Sequence, residues 1–214
     1  MASVQAPTTF AEAASLLADA SAQGHSVRIV GGGTKLGWGH PVETDLELHT
    51  SGLHEIVEHN AGDLTARLQA GVPLEVAQRT LAAAGQMLAL DPPPAASDGG
   101  APTVGGVVAT GDCGPLRHRY GGPRDLVVGI TVALADGTVA QAGGQVIKNV
   151  AGYDLAKLFS GAFGTLGLIL AVNVRLHPRH ETSVTALGAT GDPEVLAAAA
   201  RAVAAAPLEL EALD

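Results

Sequence analysis

The stretch VRIVGGGTKLGWG, residues 27–39, places three consecutive glycines directly after four strand-forming residues. Glycine has no Cβ, so the backbone N–H groups of such a run can converge on one anion, for example a phosphate or pyrophosphate. A Walker loop is excluded because Leu36, not Ser or Thr, follows Lys35. A G-x-G-x-x-G dinucleotide turn is excluded because the spacing is one residue too long and Gly39 and Pro41 interrupt a helix. A plain turn remains the alternative.

Composition and charge restrict the classes of protein and ligand. With 47% hydrophobic and 15% charged residues among 214, the chain is expected to fold around a core. The net charge of −9 opposes nonspecific nucleic-acid binding, so an anionic ligand must meet local backbone donors. A single cysteine, Cys113, excludes an internal disulfide and is compatible with a reducing cytoplasm. With no secretory signal and no apolar run of membrane-spanning length, we expect a cytoplasmic protein without direct membrane insertion.

Capping signals and periodicity predict mixed helices and strands in the first half. Thr9 and Glu12 have the spacing of a capping box, and the helix that they begin runs to Gly24. Alternating apolar residues predict strands at residues 45–50, 54–60 and 65–71. A second helix, with Pro73 in its first turn, ends at Gly85. Its predicted apolar face consists of Leu74, Ala77, Leu81 and Ala84.

The second half of the chain has different sequence patterns. Residues 97–115 are glycine-rich and predict a long loop, and Asp136-Gly137 predicts a hairpin between two β-branched runs. A short helix is predicted over residues 153–159, and a strand then ends at Pro178. The short helix should bury Leu155, Leu158 and Phe159. The predicted last helix is capped by Asp192, has Pro193 at its first position and stops at Pro207.

Side-chain chemistry gives no catalytic pattern. His54 and His59 lie five residues apart, not four as in a zinc-protease helix, and Cys113 has no second thiolate or evident base. What remains is three glycine-rich segments, residues 31–37, 102–114 and 161–169. Each is compatible with a structural turn, but together they suit a long ligand contacted by main-chain donors. The hydroxyls expected to assist are those of Thr34, Thr103, Thr110 and Thr165.

Four motifs in this order resemble the vanillyl-alcohol-oxidase-like, PCMH-type FAD-binding flavoproteins: GGGT, DLTARLQAGVPLEVAQRTLAAAGQMLALDPP, PTVGGVVAT and KNVAGYDLAKLFSGAFGTLGLI. The likeness covers residues 8–178 and, in the last motif, is nearest to the E-subunit branch of the glycolate oxidases. It implies an α+β fold of two α/β lobes. The expected units are an N-terminal lobe at 1–95, a second lobe at 96–180, and at 181–214 a C-terminal helix with the start of an otherwise missing cap domain.

The resemblance implies that residues 31–36 wrap the FAD pyrophosphate, that residues 103–110 line the same cofactor, and that residues 164–169 lie near the adenine. A side chain at Gly32 is expected to occupy the space of the pyrophosphate. Leu168 and Ile169 fit a core strand equally well, and residues 148–153 face either the flavin or the short helix. The implied cofactor-binding residues are Gly31, Gly32, Gly33, Thr34, Lys35, Leu36, Pro92, Thr103, Val104, Gly105, Gly106, Ala109, Thr110, Gly164, Thr165, Gly167, Leu168 and Ile169.

The function implied is that of an FAD-dependent oxidoreductase component, a flavin subunit that acts on a small 2-hydroxy acid such as glycolate. Its implied partners are a second flavoprotein subunit and an iron–sulfur subunit. The flavin is expected to be noncovalent, because the loop carries Thr34 and Cys113 does not match the family's Cys link. Phe163 replaces an acid found in many relatives, and catalytic residues are not assigned. A noncatalytic flavin-binding or assembly subunit and a UDP-sugar enolpyruvate reductase-like enzyme remain alternatives.

Overall fold

A computed structural model describes residues 2–93, 100–144 and 154–213. The helices are α1 (Phe10–Ala22), α2 (Leu74–Ala82), α3 (Val104–Thr110), α4 (Arg117–Tyr120), α5 (Pro123–Leu126), α6 (Leu155–Phe159) and α7 (Pro193–Ala205). The strands are β1 (Ser3–Gln5), β2 (Val27–Val30), β3 (Leu46–His49), β4 (Ile56–Asn60), β5 (Thr65–Gln69), β6 (Gln86–Met87), β7 (Val127–Ala133), β8 (Val139–Gly143), β9 (Leu168–Arg175) and β10 (His177–Pro178).

Two sheets of different type organise these elements. A three-stranded sheet in the order β1-β3-β2 is parallel throughout. A five-stranded sheet in the order β4-β5-β9-β7-β8 is antiparallel throughout, and β6 pairs with β10 as a separate ladder. The central strand β9 is buried along almost its whole length, which matches its near-continuous run of apolar residues. This mixed architecture confirms the predicted α+β class.

Two hydrophobic clusters fix the layers. The larger one packs α2, α3 and α6 against the five-stranded sheet, with Leu68, Leu81 and Val172 fully buried. The smaller one packs α1 against β3 and the start of β9 through Leu17, Leu48 and Leu170, among others. The five-stranded sheet takes strands from both sides of residues 95/96, and the predicted domain boundaries stay a prediction.

Several local signals act as predicted. Thr9 accepts a hydrogen bond from the Glu12 N–H at 3.1 Å and begins α1. The Glu12 carboxylate reaches back one residue further than a standard capping box, to the Thr8 N–H at 2.8 Å. Asp192 caps α7 through the Glu194 N–H, and Gly137, at φ +81°, turns the β7–β8 hairpin.

The predicted loop at 97–115 is wrong in its centre, where α3 forms. Gly105 and Gly106 lower the intrinsic helix propensity, but Val104, Val107 and Val108 bury their side chains in the larger cluster, and tertiary packing overrides propensity. The Thr103 hydroxyl caps the helix by accepting from the Gly106 N–H.

Smaller corrections concern the ends of two helices. Pro73 is the N-cap of α2 and not part of its first turn, and Ala84 is exposed because α2 ends at Ala82. Leu158 is 58% exposed, while Ala156 and Phe159 form the buried face of α6. Within the described residues, no helix has the length and apolarity needed to cross a membrane.

The opposite burial of two helical leucines gives a direct test of this packing. Leu81→Ala should lower the free energy of unfolding by about 2–5 kcal/mol, because it leaves a cavity in the larger cluster. Leu158→Ala should change it by less than about 0.5 kcal/mol, because this side chain lies mostly in solvent. Urea unfolding measures both, and an equal loss in the two variants would contradict the assignment of the α6 faces.

Candidate functional site

A cavity of about 390 Å³ lies where three segments meet: the loop after β2, helix α3, and the loop between α6 and β9. Helix α3 is fixed near its N-terminus, where the Gly105 N–H donates to the carbonyl of Ala70 after β5. At its other end the Ala109 carbonyl accepts from the Phe163 N–H at 2.8 Å. The fold thus brings together the three glycine-rich segments that the sequence singled out.

Most of the predicted site residues line this one cavity: Gly31, Gly32, Gly33, Thr34, Lys35, Leu36, Thr103, Gly105, Gly106, Ala109, Thr110, Gly164, Thr165, Gly167, Leu168 and Ile169. Two do not. Val104 is fully buried in the larger hydrophobic cluster, and Pro92 lines a second cavity beside Cys113. Lys148, Asn149, Gly152 and Tyr153 lie outside the described residues.

The glycine loop takes its shape from close backbone packing. A Cβ on Gly32 would overlap the carbonyl oxygen of Ala101, and one on Gly100 would overlap the carbonyl oxygen of Gly32. Gly33 has φ +76°, a conformation that side chains other than glycine rarely adopt. The steric reason for glycine at position 32 is therefore the neighbouring backbone, which corrects the expectation that a side chain there mainly displaces the ligand.

The loop also presents free donors to the cavity. Within the described ranges, the backbone N–H groups of Gly32, Gly33, Thr34 and Lys35 have no protein acceptor, whereas the next N–H, of Leu36, bonds to the Gly33 carbonyl. Four consecutive N–H groups that lack an acceptor in the described part of the chain, beside a cavity, are suited to binding an anion. The loop after β2 can therefore hold a phosphate or diphosphate without a charged side chain.

Helix α3 contributes shape rather than donors. The N–H groups of Val104, Gly105 and Gly106 bond to Val72, Ala70 and the Thr103 hydroxyl. The hydroxyls of Thr110 and Thr165 donate to backbone carbonyls. Of the four hydroxyls expected to assist a ligand, only that of Thr34 makes no hydrogen bond to another described residue.

Two lining residues that sequence reasoning missed carry buried, unpartnered hydroxyls. Thr44 and Thr50 both line the cavity, and in the described part of the chain neither Oγ1 has a hydrogen-bond partner. Thr50 is only 5% exposed. Because an unsatisfied buried hydroxyl costs free energy, each of these two groups would be stabilised by a polar partner. No local motif marks them, since they reach the cavity through the β2–β3 pairing.

The cavity wall also has an aromatic pair that the sequence did not assign. Trp38 and Phe163 both line it, with ring centroids 6.2 Å apart and about half of each side chain exposed. Phe163 has φ +54°, an uncommon conformation for a bulky residue, and its N–H is held by α3. The two rings give one end of the cavity a surface suited to a planar, apolar group.

The cationic side chains at the wall are mostly neutralised within the protein. Arg28 pairs with Glu47, and this contact, with a further contribution from His49, holds the pKa of the Glu47 carboxyl below its usual value. Lys35 pairs with Asp112 at 2.9 Å. An anion in the cavity is therefore met chiefly by backbone N–H groups.

The second cavity, of about 740 Å³, adjoins the segment that follows α3. Asp91 shapes it by accepting from the N–H groups of Gly114 and Leu116. Pro92, Cys113, Arg117 and His118 lie on its wall. Nowhere in the described ranges are three or more His, Cys, Asp or Glu side chains grouped to hold a metal ion.

The fold matches part of a longer chain of known structure. The solved structure of an alkyldihydroxyacetonephosphate synthase superposes on 82% of this chain with a TM-score of 0.67, although the two sequences are 21% identical and the match covers 31% of that chain. At this level of identity the likeness establishes the fold alone.

Similar sequences carry the names of oxidase subunits and of a dehydrogenase. The chain is 36% identical over 160 residues to glycolate oxidase subunit GlcE of Escherichia coli, 36% over 196 residues to glycolate oxidase subunit GlcD of Bacillus subtilis, and 36% over 174 residues to a D-lactate dehydrogenase of Archaeoglobus fulgidus. These matches cover 73%, 89% and 81% of this chain. The chain spans less than half of each relative, at 44%, 41% and 38%.

A family model described as an FAD binding domain matches residues 1–143, about two thirds of the chain. This range contains the glycine loop, its free N–H donors and helix α3. FAD is thus the cofactor of the domain, as the resemblance implied. The chain belongs to the FAD binding domain family.

Proposed function

We propose that the cavity between the glycine loop, α3 and the α6–β9 loop holds FAD, with its diphosphate on the free N–H groups of residues 32–35. The observation that carries this placement is the set of four consecutive N–H donors beside the cavity for which the described ranges offer no acceptor. A diphosphate is the anionic part of FAD and can accept several such hydrogen bonds at once. In this placement, the predicted cofactor-binding residues around the loop surround the diphosphate.

The remaining lining residues suit the rest of the nucleotide. Thr44 and Thr50 supply hydroxyls that need polar partners, such as ribose hydroxyls or ring nitrogens. The Trp38–Phe163 pair and Leu168 provide apolar surface. For Pro92, which lines the second cavity, contact with the same cofactor stays a prediction.

The proposed reaction is oxidation of a small 2-hydroxy acid, with the protein acting as a flavin-bearing component of an oxidase or dehydrogenase. When bound, the flavin supplies the acceptor for the electrons of the hydroxyl-bearing carbon. This chain's residues bind and orient the cofactor and limit its contact with water. The support comes from relatives named glycolate oxidase subunits and D-lactate dehydrogenase.

A second candidate is a flavin-binding subunit without its own turnover, which the match to a protein named as an oxidase subunit favours. In both cases we propose that the protein works with further subunits, including a second flavoprotein and an iron–sulfur protein. The cytoplasmic location and the noncovalent attachment of the flavin stay predictions. If the flavin is noncovalent, acid precipitation should release all of it into the supernatant.

Spectra distinguish these candidates. The protein supplied with FAD should retain a yellow flavin absorbance after desalting, and anaerobic glycolate or D-lactate should bleach it if the first candidate is right. The matched control is L-lactate with the same preparation. Flavin that is retained but is not reduced by any 2-hydroxy acid, even with partner subunits added, would establish the second candidate. Absence of retained flavin would refute both.

Substitutions at two glycines of the same loop distinguish the effect of backbone packing from that of reduced loop flexibility. Gly32→Ala should abolish or strongly weaken FAD binding, because its Cβ overlaps the Ala101 carbonyl and displaces the donor-bearing loop. Gly37→Ala is the matched control, since a Cβ there meets no atom within 4 Å. Titration with FAD, followed by flavin fluorescence, measures both. Equal affinities in the two variants would show that the loop packing does not position the cofactor.

Thr50 gives a test in which stability and binding change in opposite directions. Thr50→Val should keep or raise the free energy of unfolding without FAD, because it removes an unsatisfied buried hydroxyl, but should weaken FAD binding by about threefold to tenfold through one lost hydrogen bond. The control Thr131→Val removes a buried hydroxyl that accepts from Arg67, so it should lower stability and leave FAD affinity unchanged. Unchanged affinity in Thr50→Val would remove Thr50 from the proposed site.

A further inference from the structure

Lys35 joins the two walls of the cavity. It lies in the glycine loop, and its Nζ is 2.9 Å from Oδ2 of Asp112, the residue that follows the C-cap of α3, Gly111. Both side chains are largely buried, at 14% and 6% exposure. The Lys35 ammonium also lies 5.0 Å from the centre of the Trp38 ring. The positive charge of Lys35, which lies in the same loop as the N–H groups of residues 32–35, is therefore paired with Asp112 in the wall of the cavity.

The carboxylate of Asp112 depends on this contact. In the described part of the chain, Oδ2 makes no hydrogen bond besides its ion pair with Lys35. Separating the pair would leave a buried charge without compensation, which is strongly unfavourable. The ion pair is thus expected to persist when a ligand enters, and the lysine does not act as a free cation for the ligand.

Charge cancellation is consistent across this wall. Arg28 is cancelled by Glu47 in the same way, and the whole chain has a net charge of −9. A neutral wall with backbone donors favours an anion of low charge, because hydrogen bonding and not Coulomb attraction supplies the affinity. A diphosphate diester such as that of FAD carries less charge than ADP or ATP, whose terminal phosphate ionises further.

We propose that Asp112 is a specificity-determining residue whose carboxylate cancels the charge of Lys35 and so excludes free nucleoside di- and triphosphates from the FAD cavity. This inference rests on the proposed placement of the diphosphate on residues 32–35. Free nucleoside di- and triphosphates are more highly charged than FAD, so they would gain more than FAD from an uncompensated cation in the wall. Neutralising Lys35 removes that gain and thereby favours FAD. Removing the carboxylate should convert the loop into a general polyphosphate site.

The test uses the only tryptophan of the chain, Trp38, which lies beside Lys35. Its fluorescence is followed while the FAD-free protein is titrated with ATP, ADP or FAD. Asp112→Asn should bind ATP about tenfold more tightly than the unmodified protein, because an uncompensated cation then faces the phosphates. The gain should be smaller for FAD than for ATP and should shrink at high salt.

Three further variants complete the test. Asp19→Asn removes the same charge from an exposed position on α1 outside the cavity, and should leave ATP affinity unchanged. Lys35→Gln combined with Asp112→Asn leaves a neutral wall and should restore the original preference for FAD. Lys35→Gln alone should weaken ATP binding more than FAD binding, because the Asp112 carboxylate is then uncompensated, and this variant tests the idea independently if Asp112→Asn does not fold.

The proposal is overturned if Asp112→Asn gains no more ATP affinity than Asp19→Asn, if the gain persists in the double variant, or if Lys35→Gln weakens FAD and ATP binding equally. These outcomes are distinct from failure of the proposed function. In that case the unmodified protein itself would not bind FAD, whatever the variants do with ATP.

Discussion

The contact between the glycine loop and the segment before α3 is the constraint on which the site depends. The backbones of Gly32 and of residues 100–101 lie so close that a Cβ on either side would overlap a carbonyl oxygen. In this packed loop, four consecutive N–H groups have no acceptor among the described residues, and the residues that carry them line the cavity. The contact also requires a fixed α3, which Gly105 provides by packing directly on Ala70 of the five-stranded sheet region. The anion site is therefore a product of backbone geometry, set by glycine at a few positions.

An acidic protein that binds an anionic cofactor needs such a solution. The cations at the wall, Arg28 and Lys35, are neutralised by Glu47 and Asp112, so the site adds little net positive charge to a chain of net charge −9. In the proposed placement, backbone donors hold the diphosphate without the side-chain entropy and salt dependence of exposed lysines. The hydroxyls of Thr44 and Thr50, for which the described residues offer no partner, are a further cost to the protein without ligand.

Sequence reasoning located the parts of the fold and of the candidate site that short-range chemistry determines. Glycines 31–33 after β2, the Thr9 and Asp192 caps and the Asp136-Gly137 hairpin each carry a local physical signal, and the structure has them as predicted. Helix α3 was missed because its two glycines resemble a loop, while its stability comes from valines buried by distant strands. Thr44, Thr50 and Trp38 were missed because their positions depend on sheet pairing and packing, which no local pattern specifies. Leu158 was misassigned because a five-residue helix is too short for periodicity to select its buried face.

Amide hydrogen exchange of residues 31–36, measured with and without FAD, tests the central claim most directly. The N–H groups of residues 32–35 have no acceptor among the described residues, so without FAD they should exchange rapidly, and FAD should slow them strongly. The N–H groups of Val104, Gly105 and Gly106 are already bonded within the protein and should change far less. Exchange at residues 32–35 that FAD leaves unchanged, in protein shown to be saturated with FAD, would contradict the account.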